Sequence, residues 1–269
     1  VSETDGAPAI RTFGALSSGV HAISREEAVA VVRRAQAGHE GPPPAERPCG
    51  LVWIDVANPG EEEARFLRDD LKLHPLAVED TLRGRQRPKI ERYPGYFFMV
   101  VYAALVNESR ERMALNELHI FLGESFIITV HDHRVREVSE AVARWRTAPG
   151  QLPDVGSLAH ALLDAVVDDY FPVLEHLGDR TEEMEKFVFD ARETVRMQEI
   201  LALRHELVVF RKVVSPLREV LSSLLRRDLP FLRPELLPYF QDVFDHSIRI
   251  VEEIDSLREL IAALLEAHL

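Results

Sequence analysis

Cysteine is almost absent from this chain: Cys49 stands alone in a proline-rich loop, and a single thiol supports neither a disulfide framework nor a thiolate metal site. A reducing compartment suits that usage. Long apolar runs are missing too. No window holds the roughly eighteen or more continuous apolar residues of a membrane helix, and the N-terminus has no basic segment followed by an apolar signal core. The chain as written is therefore expected to be soluble. Positive charge is in short supply, with 32 Lys and Arg against 45 Asp and Glu and a formal charge of −13. That balance argues against a nucleic-acid partner and is compatible with cation binding or with plain solubility. Glycine and proline are absent from residues 247–269, so the helical pattern there has no stop signal and reads either as a natural end or as a helix cut off in mid-course.

What is present is enough apolar material, 46% of 269 residues, to bury one large or two moderate domains. The chain is organised around residues 73–106, LHPLAVEDTLRGRQRPKIERYPGYFFMVVYAALV. Pro75 can open a short helix carrying Glu79 and Asp80, and Gly84 can close it. A basic turn follows, with Arg83, Arg85, Gln86, Arg87, Pro88 and Lys89. Residues 96–106 are then an unbroken apolar run, rich in β-branched and aromatic side chains, which predicts a central strand buried on both faces.

Before this stretch, residues 10–13 read as an edge strand. Ser24 with Glu27 predicts a capping box opening a helix through Ala35, with Gly38 placed to end it. LVWIDVA, residues 51–57, reads as a short buried strand, and Asn58-Pro59 with Glu61 opens a helix over EEEARFLRDDL. Glu61, Glu62 and Glu63 are best read as complementing the helix macrodipole rather than as a cation site. After the organising stretch, ELHIFLG and SFIITVH flank Gly123-Glu124 as a hairpin. His131, Asp132 and His133 end the second run; with no HExxH spacing or third ligand nearby, they are read as exposed strand-end residues. Residues 135–146 are an amphipathic helix.

From Asp154 strands give way to long helical patterns. The expected division is an α/β domain over 1–153, a long antiparallel helical hairpin over 154–233 and a stalk helix over 234–269 that projects beyond the domain. Pro172 is expected to kink the first hairpin helix, and Pro216 to interrupt the second, read over residues 193–225. Asp164 and Asp168 share a helix face while Asp169 points elsewhere. In the last helix Phe240, Phe244, Ile248, Val251, Ile254, Leu257, Ile261 and Leu264 form a narrow apolar seam. Asp242, Asp245 and His246 cluster beside it at i, i+3 and i+4, where two carboxylates can approach one cation. Such a triple is also ordinary solvated surface.

HPLAVED with QRPKIERY and an aromatic strand, then ELHIFLGESFIITVH, ALLDAVVDDYF, SPLREVLSSLLRRDLP and PYFQDVFDH, follow one another in that order. On these strings the chain from about Trp53 onward resembles the CorA family of magnesium and divalent-cation channels. The resemblance implies the cytoplasmic sensor domain of a pentameric channel, an α/β fold with a mixed sheet between helices followed by a helical hairpin and a long stalk helix. The family's two membrane spans and its Gly-Met-Asn pore signature are not in this sequence, so any membrane contact would be through those C-terminal spans, at the inner membrane's cytoplasmic face. It implies no catalysis. It also implies a regulatory divalent cation between neighbouring subunits, on Asp80 of one and Asp242 of the next, and a second nearby site on Glu79 and Asp164; Asp245, from its helical spacing to Asp242, is a further candidate. The metal would be Mg2+, with Co2+, Zn2+ or Ca2+ able to take its place. Without membrane helices, the chain is expected to associate only weakly. A ZntB-like zinc transporter is the competing reading within the superfamily. From other classes come a soluble metal-dependent hydrolase centred on His131, Asp132 and His133, and a helical scaffold with no ion role.

Overall fold

The computed structural model describes residues 9–37, 50–107, 112–189, 197–226 and 229–268. Gly38, Cys49 and residues 193–196, which enter the readings above, lie outside the described residues. The chain forms β1 (Ile10–Leu16), β2 (Gly19–Ala22), α1 (Arg25–Gln36), β3 (Val52–Ala57) and α2 (Glu61–Arg65), which continues as a π-helical turn over Phe66–Asp70. Next come α3 (Pro75–Arg83), β4 (Lys89–Tyr93), β5 (Tyr96–Asn107), β6 (Arg112–Leu122) and β7 (Phe126–His131). Five helices complete it: α4 (Arg136–Thr147), α5 (Val155–Asp168), α6 (Tyr170–Phe189), α7 (Met197–Arg226) and α8 (Leu237–His268).

The strands make one mixed sheet in the order β2-β1-β3-β7-β6-β5-β4, with β3 and β7 parallel and the other pairs antiparallel. Alternate side chains of each strand point to opposite faces. On one face Val52, Ile54, Phe98, Val100 and Ile128 meet Ala28 and Val32 of α1 and Ala77 and Val78 of α3. On the other, Trp53, Phe97, Met99, Val101 and Ile120 lie under Trp145 of α4 and Leu158 and Leu162 of α5, in a core that continues through α6, α7 and α8 to Leu264. Cover on both faces is why β5 is apolar at every step: Val100 and Val101 point opposite ways and both are fully buried.

Several expectations need correction. β5 is buried on both faces but is second from the sheet's edge, and β7 is the middle strand. Double burial requires helices above and below, not a central position. The outer side of β5 pairs with β4, which starts at Lys89, a residue read as part of the basic turn. β1 is likewise not an edge strand, because β2 folds back to cover it. The long helix after Asp154 breaks at Asp169 rather than bending at Pro172, which sits in the first turn of α6. An uninterrupted helix would drive the Pro172 ring into the carbonyl of Asp168, whereas a proline near a helix start loses nothing. Pro216, by contrast, does not interrupt α7; buried Val213, Val214, Leu217 and Val220 hold the turns on both sides of it in the core.

The stripe on α8 is also wider than the seam read from sequence. Phe240, Val251, Ile254, Leu257, Ile261 and Leu264 are buried as expected, but Phe244 and Ile248 are only half-buried, and Val243, Ser247 and Ile250 take the covered positions. The reason is that α8 packs against α5, α6 and α7 together rather than against one partner. Its stripe stays covered as far as Leu264, so over its described length the helix does not project alone.

Local signals are obeyed at the ends of α1 and α3, whereas α2 is capped by Gly60 and not opened by Asn58-Pro59. Ser24 and Glu27 close the reciprocal capping box of α1, and Gly84 ends α3 with φ 60°. The start of α5 depends on another glycine. A Cβ on Gly156 would stand 2.5 Å from the Phe231 carbonyl oxygen and 2.8 Å from Leu236 Cδ1, so the segment entering α8 rests directly on the α5 backbone. Gly156→Ala is expected to cost about 1–3 kcal/mol through overpacking, read as a lower denaturant midpoint; an unchanged midpoint would mean that this contact yields freely. Among the described residues no helix is long and apolar enough to cross a membrane.

Candidate metal centre

The acids on α3 are held by a rigid frame. Pro75 opens the helix, the His74 ring accepts from the Leu76 amide at 3.3 Å, and the His74 amide donates to the Tyr96 hydroxyl at 2.8 Å, which pins the helix start to β5. Beyond Gly84, the Glu117 carboxylate on β6 accepts the Arg85 and Gln86 amides at 2.5 and 2.9 Å. Burial alone would push Glu117 up, but those amides and His119 hold its carboxyl below the usual range.

Between these anchors Glu79 pairs with Arg83 at 2.5 Å, one turn along. Asp80 faces Lys89 of β4, with the ammonium 2.6 Å from the carboxylate and 2.9 Å from Glu91. Burial works against that ammonium, yet the hydrogen bonds to Asp80 and Glu91 outweigh it and hold Lys89 above the ordinary lysine value. The Asp80 side chain is 28% exposed, a ledge with one side open to solvent.

The second group of acids lies across the sheet, where α5 meets α8. Asp164 is half-buried, and Asp168 follows one turn later. From α8, His246 sits between two carboxylates, with Nδ1 3.6 Å from Asp168 and Nε2 3.9 Å from Asp242. Burial and the charge of Asp164 push the Asp168 carboxyl up, and His246 partly offsets this. His160 lines the same groove against Tyr239 and Phe240; burial lowers its pKa, and Asp164 opposes that. Asp242 is 69% exposed, while Asp245 is exposed and accepts from Gln241 at 2.8 Å.

Asp164 and Asp242 are thus brought to one groove, and Glu79 and Asp80 to one helix end. The two pairs do not meet within the chain, because α3 packs on one face of the sheet and α5 and α8 on the other. Among the described residues no group of three or more His, Cys, Asp or Glu is arranged to hold a metal ion.

The His131, Asp132 and His133 cluster does not converge. Asp132 and His133 are exposed, but His131 is buried, which corrects the reading of all three as exposed. Its Nε2 lies 3.1 Å from Asp55 on the parallel neighbour β3. Sequence reasoning missed this pair and the Asp80–Lys89 pair, since each depends on a strand pairing rather than on spacing. The Asp168–Asp242–His246 groove was half visible, as i,i+4 steps on two separate helices.

Known proteins share this sequence pattern and this fold. A family profile described as CorA-like Mg2+ transporter protein matches residues 49–269. The chain belongs to the CorA-like Mg2+ transporter family, and it is accordingly a transport-protein domain and not an enzyme. It is 32% identical over 222 residues to the cobalt/magnesium transport protein CorA of Thermotoga maritima, a match covering 81% of this chain and 63% of that protein. The chain therefore spans less than two thirds of that relative's length. Its fold resembles the soluble domain of CorA from Methanocaldococcus jannaschii, with a TM-score of 0.74 at 21% identity over 97% of this chain and 96% of that one. It also resembles the ZntB cytoplasmic domain from Vibrio parahaemolyticus, with a TM-score of 0.68 at 14% identity over 96% and 95%.

Proposed function

We propose that the chain is the cytoplasmic, metal-sensing part of a CorA-type magnesium channel, in which a divalent cation held between neighbouring subunits keeps the pore closed. One observation carries the reading: two acid-bearing patches with uncovered apolar residues lie on opposite sides of the sheet. On α3, Leu76 is 58% exposed one turn before Asp80, and Leu82 is exposed beside Glu79. On α8, Tyr239 is 58% exposed beside Asp242, with Leu237 next to it. Two different patches that complement each other between copies make a head-to-tail contact, and such contacts form a ring when the rotation between copies closes. A pentamer is the ring we infer, with Asp80 of one subunit facing Asp242 of the next, Glu79 and Asp164 forming the second site, and Asp245 in reserve. Residues 234–269 would be the start of the stalk, after the 1–153 domain and the 154–233 hairpin, at the cytoplasmic side of the inner membrane.

The donor set fits magnesium. Mg2+ takes oxygen ligands, sheds water reluctantly and is commonly held by one or two carboxylates. Lys89 already neutralises part of the Asp80 charge, which weakens binding and suits a sensor of cytoplasmic concentration rather than a permanent site. Co2+, Zn2+ or Ca2+ could occupy the same carboxylates. The ZntB-like zinc reading has its own observation, the His246 ring beside Asp242, because zinc favours imidazole nitrogen more than magnesium does.

Sedimentation velocity tests the proposal. Without metal the chain should run mostly as monomer or small oligomers, and millimolar Mg2+ should shift it to larger species. A distribution insensitive to Mg2+ would sink the inter-subunit site.

A further inference from the structure

Glu137 is a buried acid that the metal reading leaves unused. It lies in the first turn of α4, is 4% exposed, and lines a recess of about 410 Å³ together with Asp169, at the corner between α5 and α6. Asp169 is held from its other side by Arg136, whose Nη2 is 2.6 and 2.7 Å from the two carboxylate oxygens. The same guanidinium also reaches Glu140 at 3.3 Å. Arg134, ahead of α4, lines the recess, and from α6 the buried Tyr170 faces Glu137 while its hydroxyl donates to the Tyr102 carbonyl. β5 and β6 contribute apolar residues and Asn116 to the walls, with no titratable group.

We propose that Glu137 and Asp169 form a proton-binding carboxyl pair. Protonated, Glu137 donates a hydrogen bond to Asp169, adding to the Arg136 ion pair that joins the start of α4 to the α5–α6 corner; when the proton leaves to water, that hydrogen bond is lost and two carboxylates are left sharing Arg136. The side-chain chemistry supports this. Burial is the largest influence on Glu137 and pushes its carboxyl up to about 7, its own backbone amide works in the opposite direction, and Asp169 pushes it up further. A buried carboxylic acid beside a carboxylate keeps its proton because two like charges in contact cannot both be ionised cheaply. The pair puts a proton-dependent charge at the end of the helix that carries Asp164, so the proton is a candidate second effector of the domain.

Infrared difference spectra of the chain, recorded across a pH titration, test it. A protonated-carboxyl C=O band should disappear with a midpoint near neutrality, and Glu137→Gln should remove it. The sign of the linked stability is fixed. The folded pKa of about 7 lies above the reference value of 4.5, so the native state holds an extra proton between these values and stability falls as pH rises from 4.5 through 7. Glu137→Gln keeps a donor for Asp169 and should erase that fall, gaining roughly tenfold or more in folding equilibrium constant over the parent at alkaline pH, relative to acid pH. Should that variant not fold, Asp169→Asn should move the band's midpoint to lower pH, because the neighbouring negative charge is gone. A band that survives Glu137→Gln, or a midpoint indifferent to Asp169→Asn, overturns the pair.

Discussion

Replacing both Asp80 and Asp242 by asparagine is expected to abolish magnesium-dependent protection against proteolysis in the longer channel protein to which we propose the chain belongs, while leaving the fold intact. In that reading a cation bridges the two carboxylates and holds adjacent subunits together. Without it like charges face each other, and at ~4 Å such a pair repels by about 4 kcal/mol for an effective dielectric near 20. Solvent around the largely exposed Asp242 cuts this to a fraction. Symmetry restores the magnitude, because the same repulsion recurs at every interface of the ring. Modest repulsions summed in this way approach the ~5.5 kcal/mol that swings a two-state assembly almost completely. On that proposal rising cytoplasmic Mg2+ would close the pore and falling Mg2+ would loosen it, and the transported ion would also be the effector.

The double variant should lose a protection of roughly 5- to 150-fold, the usual range for an allosteric coupling. It should keep its fold with at most a small loss of stability, since Asp80→Asn leaves the Lys89 ammonium with Glu91 and Asp242 is largely exposed. Wild-type protection at the same Mg2+ concentrations would reassign the latch, with Glu79, Asp164 and Asp245 next to be neutralised.

The largest expected loss of stability lies elsewhere, at Asp55. This carboxylate is fully buried at the centre of the sheet. It accepts the Thr129 hydroxyl at 2.7 Å and the Arg11 guanidinium at 2.5 and 3.1 Å, with His131 at 3.1 Å, while Trp53 Nε1 donates to Thr129 at 3.0 Å. Asp55→Ala removes the acceptor that Arg11, Thr129 and His131 share. Breaking a buried charge pair typically costs about 3–5 kcal/mol; the lower end applies here, because Arg11 is partly exposed and can turn to water. For a chain of this length that is a fall of roughly 10 °C in Tm. A loss under about 1 kcal/mol would show that the network contributes little.

Its pH dependence has a definite sign. Burial pushes the Asp55 carboxyl up, but the hydrogen bond and charge of His131, followed by Arg11 and Thr129, outweigh it and hold the carboxyl below 3.8. A folded value below the unfolded one gives stability that is complete above the unfolded pKa and is lost as pH falls through the folded one. In Asp55→Asn the acid limb of stability below about pH 4 should flatten.

Much of this protein is legible in its sequence because many of its signals are local. Ser24 and Glu27 are three residues apart and cap one helix end. Pro75 and Gly84 bracket α3 for the same reason: a fixed φ and a positive φ are properties of single residues. The acids proposed to bind metal were likewise readable, through the ordered strings that resemble CorA. Their partners were not, as Lys89 reaches Asp80 because β4 pairs with β5, and nothing in the spacing of a basic turn reports that pairing.

The sequence by itself determined most element types, though not those of β2 and β4, and it determined the two-faced burial of β5, the capping of α1 and α3 and the position of the acids along their helices, since each follows from periodicity or from one residue's backbone preference. Only the tertiary structure decided that β7 and not β5 is the middle strand, that Pro172 starts a helix while Pro216 leaves one intact, and that His131 is buried on Asp55. It also decided that Asp80 and Asp242 lie on opposite faces of the sheet. The physical reason is the same throughout: strand order, a covered proline and a buried ion pair depend on which distant surfaces meet, and residues far apart in sequence carry no local mark of their eventual neighbour.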